Sequence, residues 1–141
     1  MRLTCPARLS VLVAVGCGSQ SKQAASPAQA EGEVRSLLAS YKRALETDNA
    51  ARTCDDLSRS VQRQVISEVR RTVPVTSCEQ VMQLLIHTNP SLLRKITRET
   101  TGWAIHVTGD RASVITSRGD KTLTSGVTRE GGAWKLSEAP R

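Results

Sequence analysis

Two hydrophobic rhythms run along this chain, and the switch between them falls near residue 100. Val34, Leu37, Leu38, Tyr41 and Leu45 recur at spacings of three and four, the period of a helix with one apolar face. That predicts a helix over residues 30–47. Asp48-Asn49 stops it, and Asn49 suits the cap of a second segment with Cys54 and Leu57 inward. Ser60 is the expected cap of a third segment carrying Val61, Val65 and Val69, which ends before Pro74. Ser77 followed by Gln80 has the form of a capping box and opens a helix with Val81, Leu84 and Leu85 inward. Pro90 after Asn89 fits the first position of a short helix holding Leu92, Leu93 and Ile96.

Beyond residue 100 the period becomes two. Trp103, Ile105 and Val107 alternate with Ala104, His106 and Thr108, as on a strand buried on one face. Gly109-Asp110 is a two-residue hairpin turn with Gly in the first central position, and residues 112–116 form the return strand. Arg118-Gly119-Asp120 turns the chain again into a strand with Leu123, Ser125 and Val127 on one side. Gly131-Gly132 leads to a last strand, Trp134-Lys135-Leu136. Helices first and an antiparallel meander second define an α+β class, with N-terminal helices packed on a C-terminal sheet of about four strands.

The first residues follow neither rhythm. Arg2 and Arg8 precede the apolar run Leu9–Val15, and Ala14-Val15-Gly16-Cys17 resembles a bacterial lipobox. The resemblance implies a lipoprotein signal over 1–16 and a diacylglyceryl group on the Cys17 thiol. Membrane lipid is then a partner through Cys17, at the outer face of the cytoplasmic membrane. Residues 17–30, polar, small and containing Pro27, are expected to be a flexible tether, and 31–141 a single domain. Ala14 stands where Leu is usual, and Arg8 is close to the lipobox. Two alternatives are ordinary secretion with cleavage after Ala28-Gln29-Ala30, and a cytoplasmic chain with an apolar N-terminus.

Of the four cysteines, removal of Cys5 and lipidation of Cys17 leave Cys54 and Cys78. In an exported domain such a pair reads as a disulfide. The competing states are two buried thiols or metal ligation, and neither cysteine has a second Cys or His at ligand spacing. No metal or other cofactor is expected.

Composition narrows the rest. The 141 residues carry a formal charge of +7, and +5 remain once Arg2 and Arg8 go with the signal. The chain has no Phe, one Tyr and two Trp, so its core depends on Leu, Val, Ile and Ala. The same scarcity argues against the aromatic stacking platforms that bind single-stranded nucleic acid, and no nucleic-acid partner is expected.

The segments "ETDNAARTCDDLS" after the Tyr41 helix, the two cysteines, the Gly109-Asp110 hairpin and the ending "REGGAWKLSE" resemble small lipoprotein members of the nuclear-transport-factor-two-like superfamily, which also holds ketosteroid isomerase-like and polyketide cyclase-like enzymes. The resemblance covers about residues 31–139 and is architectural. It implies a cone-like fold, here reduced because residues 61–73 read as helix where the family has an early hairpin. It also implies a pocket that could involve Tyr41, Trp103 and His106, and a tendency to form homodimers over the sheet.

The candidate acid/base groups are His106 and Asp56, with Asp55, Tyr41 and His87 as further polar positions. Asp55 and Asp56 are expected near a helix start, where carboxylates favour the dipole. His106 lies opposite Ile105 and Val107 and faces either solvent or the cone. No spacing joins any of these into a nucleophile–base pair. Arg52, Arg59, Arg63 and Arg70 form a candidate basic face, read either as a solvated helix side or as a contact for anionic headgroups. The leading expectation is a membrane-anchored, non-enzymatic module for a small apolar ligand or an envelope partner. An isomerase- or cyclase-like enzyme and a structural homodimer are the alternatives.

Overall fold

A computed structural model describes residues 25–138. The expected signal over residues 1–16, Cys17 and most of the expected tether lie outside the described residues.

Five helices precede four strands: α1 (Pro27–Glu46), α2 (Ala50–Asp55), α3 (Arg59–Arg70), α4 (Cys78–Thr88), α5 (Pro90–Glu99), β1 (Thr100–Thr108), β2 (Arg111–Arg118), β3 (Lys121–Glu130) and β4 (Ala133–Leu136). The strands form one antiparallel sheet in the order β1-β2-β3-β4. Each connection is tight. Gly109 and Gly119 open the first two hairpin turns with φ of 60° and 62°, a backbone region that L side chains rarely occupy.

α1 starts earlier than the hydrophobic pattern suggests. The Ser26 hydroxyl accepts the Gln29 N–H, Pro27 occupies the first turn, and Ala30 is already buried. Residues 27–30 therefore belong to the helix and not to the tether. At the other end Asp48 has a positive φ of 56°, which reverses the chain. Asn49 then caps the six-residue α2 by accepting the Arg52 N–H. A helix so short is not stable by itself, and α2 depends on what it packs against. The Cys54–Cys78 disulfide ties it to the first residue of α4, with the two Cα atoms 6.0 Å apart.

The cap of α3 is Ser58, whose hydroxyl accepts the Val61 N–H, and not Ser60. Position is the reason. Ser58 is held by its own N–H to the Leu136 carbonyl, while the Leu136 N–H bonds the Asp56 carbonyl. Residues 56–58 thus run beside β4 as a short parallel bridge and fix where the helix must start. In α4, Ser77 accepts the Gln80 N–H, but the Gln80 side chain bonds Thr76 and not Ser77, so the reciprocal half of the box is displaced by one residue. The buried face of α4 is Cys78, Val81, Met82 and Ile86, whereas Leu85 is exposed.

One continuous core joins helices and sheet. Val34, Val81, Val114 and Val127 are almost fully buried, with Leu37, Leu38, Ile105, Trp134 and Leu136 around them. Tyr41 and Trp103 are half-buried and pack against this cluster. A second tie closes α1 onto the far end of the sheet. Arg129 lies 4.8 Å over the Trp134 ring, and both donate to Glu33, at 2.8 and 3.0 Å. The Trp134 indole N–H first, and the Arg129 charge with it, hold the Glu33 carboxyl below the usual range.

Candidate functional site

The polar residues singled out from sequence are distributed over three separate places. The first is the seam between α1 and α2. Arg52 and Asp56 are one helical turn apart, and Ser40 of α1 stands between them. The Arg52 Nε donates to the Ser40 hydroxyl at 2.9 Å, which donates to Asp56 Oδ2 at 2.9 Å. An Arg52 Nη2 to Asp56 Oδ1 approach of 3.5 Å closes the ring. The Asp56 side chain is 5% exposed and that of Arg52 56%, so a buried carboxylate is paired with a solvent-facing guanidinium.

The electrostatics of this ring oppose one another. Burial pushes the Asp56 carboxyl above the ordinary range, while the Ser40 hydrogen bond, Arg52 and Lys135 pull it back; the net shift is upward. Burial and the Asp56 charge together push the Tyr41 phenol up as well. Asp55 and Asp56 close α2, the end at which its dipole disfavours a carboxylate, and Asp56 also lies two residues ahead of Ser58, the cap of α3, where the opposite holds. Asp56 is retained by its contacts: its carboxylate joins α1 to α2 and its carbonyl joins both to β4. In front of the ring lies an open cleft of about 470 Å³, lined by Ser36, Ser40, Arg43, Asn49 and Arg52 among others.

The second place is β1. Its alternation puts Ile105 in the core and leaves His106 exposed on the opposite side of the strand. His106 therefore does not join Tyr41 and Trp103, and the pocket expected from those three residues is not assembled. The space between helices and sheet is occupied by the continuous core. The other side of the sheet exposes Ala104, His106, Ser117, Thr122 and Thr124, a polar surface in the main. His87 is exposed near the end of α4, with Nδ1 2.8 Å from the Gln83 carbonyl oxygen.

The third place is α3, where the expected basic face divides. Arg52 belongs to the Asp56 ring, and Arg59 approaches Glu130 at 4.0 Å and donates its backbone N–H to the same carboxylate. Arg63 and Arg70 remain. With Arg71, which sequence reasoning passed over, they line an open cleft of about 440 Å³ together with Ile66, Ser67 and Thr76. The Arg70 Nε donates to the Val75 carbonyl at 3.0 Å, fixing that side chain across the α3–α4 loop. The signal for Arg71 was present in the sequence, since positions 63, 67, 70 and 71 share one side of a helix. Ser40 gave none, because its role arises from a contact sixteen residues away in sequence.

Among the described residues no group of three or more His, Cys, Asp or Glu is arranged to hold a metal ion, and no helix is long and apolar enough to cross a membrane. Compared with protein-family models, curated proteins and solved structures, the chain matches none.

Proposed function

We propose that this chain is an exported lipoprotein, anchored through Cys17, whose domain is a non-enzymatic binding module of the bacterial envelope. One observation carries the reading. The disulfide joins Cys54 to Cys78, so both cysteines that remain after signal removal and lipidation are paired with each other, and Cys17 is left for the lipid. Disulfides persist in oxidising compartments, which agrees with export. Kinship with the nuclear-transport-factor-two-like superfamily belongs to the same proposal, supported by the helices-then-meander order.

The non-enzymatic part rests on how the candidate groups are placed. His106 lies on the exposed side of the sheet away from Asp56, and both Asp56 oxygens are engaged by Ser40 and Arg52. The filled interior also favours a surface partner over a small apolar ligand. A homodimer over the sheet is less favoured, because the exposed side is largely Ser, Thr and His.

The decisive test is Cys17→Ala with fractionation and intact mass. The native chain is expected in the membrane fraction with a diacylglyceryl adduct at Cys17, and the variant without it in the soluble fraction. Equal membrane association of both, with no adduct on the native chain, would overturn the anchor.

A further inference from the structure

We infer that the cleft of α3 and the α3–α4 loop, formed by Arg63, Arg70 and Arg71, is a binding site for a phosphate-bearing anion. The inference rests on the reading of the domain as a binding module and gives its partner a chemical class.

Three guanidinium side chains line one concave space of about 440 Å³. None of them has a carboxylate within ion-pairing distance among the described residues, although Arg35, Arg52, Arg59 and Arg129 all do. Like charges gathered without a counter-charge repel, and a bound anion relieves that repulsion. The geometry suits an anion with several acceptor oxygens. Guanidinium groups present planar donor forks that match phosphate oxygens two at a time. Arg70 is already positioned through its Nε bond to the Val75 carbonyl, which leaves its two terminal nitrogens without a partner among the described residues. The Arg63 and Arg71 guanidinium groups have no hydrogen-bonded or ionic partner among the described residues. The Ser67 hydroxyl adds a neutral donor on the same helix side, and half-buried Ile66 gives an apolar wall. Thr76 closes the far side, its own hydroxyl held by Gln80.

A carboxylate ligand, with about four lone-pair sites on two oxygens, would engage at most two such forks. Three forks around one space exceed what a single carboxylate satisfies, whereas a phosphate or phosphodiester offers acceptors to more than one. The same chemistry is presented by a phospholipid headgroup and by free phosphate, and the experiment separates the two.

The test uses the full chain in zwitterionic micelles, with the arginine Nε–H signals followed by NMR. The probes are inorganic phosphate, glycerophosphoglycerol, and bicelles with or without phosphatidylglycerol. Saturable shifts of the Arg63, Arg70 and Arg71 signals are expected, with at least a tenfold weaker apparent affinity in Arg63→Gln/Arg71→Gln. The control is Arg94→Gln/Arg98→Gln on α5, which removes the same charge elsewhere and is expected to leave the titration unchanged. Equal saturation by inorganic phosphate assigns the site to free phosphate. Saturation only by the diester or the anionic bicelles assigns it to a headgroup. Absence of shifts with every probe, or equal weakening by the α5 control, would overturn the proposal. Because the signals are read at the guanidinium groups, failure here leaves the Cys17 result standing, and failure of the anchor leaves the phosphate titration interpretable.

Discussion

Replacing both Cys54 and Cys78 by alanine removes the covalent tie between α2 and α4. The two positions are 24 residues apart, and in the chain-entropy model closing such a loop is worth about 3.5 kcal/mol. The local structure argues for the full effect. α2 is six residues long, too short to persist alone, and both cysteines are buried where alanine leaves a small void as well. Against a total stability of about 5–15 kcal/mol for a domain of this size, the loss is a large share. Thermal unfolding followed by circular dichroism is the assay, on the oxidised protein, the reduced protein and the double variant. The melting temperature is expected to fall by roughly 10–15 °C on reduction and somewhat further in the double variant, which adds the void. A drop of less than about 3 °C on reduction would mean instead that packing alone holds α2 in place.

Two further outcomes follow from local features. Ser58→Ala is expected to cost about 1 kcal/mol by urea unfolding, as for an N-cap, while Ser60→Ala stays within ~0.5 kcal/mol; equal losses would return the cap to Ser60. Asp56 and Glu33 should give opposite pH dependences. Burial raises the folded Asp56 carboxyl, so between its unfolded and folded values the native state keeps a proton that the unfolded chain has lost. Its contribution to stability is therefore present below the unfolded value and declines as pH rises through the folded one, and Asp56→Asn flattens that decline. The Trp134 indole and Arg129 lower Glu33, so its contribution is present above the ordinary carboxylate value and lost as pH falls through the depressed one. Urea midpoints across acid and neutral pH, with Asp56→Asn and Glu33→Gln beside the native chain, check both signs.

Periodicity alone determined the class of this domain, because both periods are local properties of the chain. Val34, Leu37 and Leu38 had to share a helix face, and Ile105 and Val107 had to share one side of a strand, whatever lay across from them. The turns were equally local: Gly109 and Gly119 supply φ values that other residues reach at a cost. The cysteine pair was legible from count and context.

Tertiary structure decided everything that depends on a partner distant in sequence. Ser58 and not Ser60 caps α3 because β4, nearly eighty residues later, holds residues 56–58 in place. Met82 and Ile86 are inward on α4 where Leu84 and Leu85 were expected, on the same side of the helix as the disulfide-bonded Cys78. Asp56 was expected only near a helix start and is a buried junction, because Ser40 and Leu136 meet it there. The basic face of four arginines was visible in sequence, but a side chain's charge says nothing of its partner. Only the fold shows that Arg52 and Arg59 are paired, and that Arg63 and Arg70 turn with Arg71 toward one cleft.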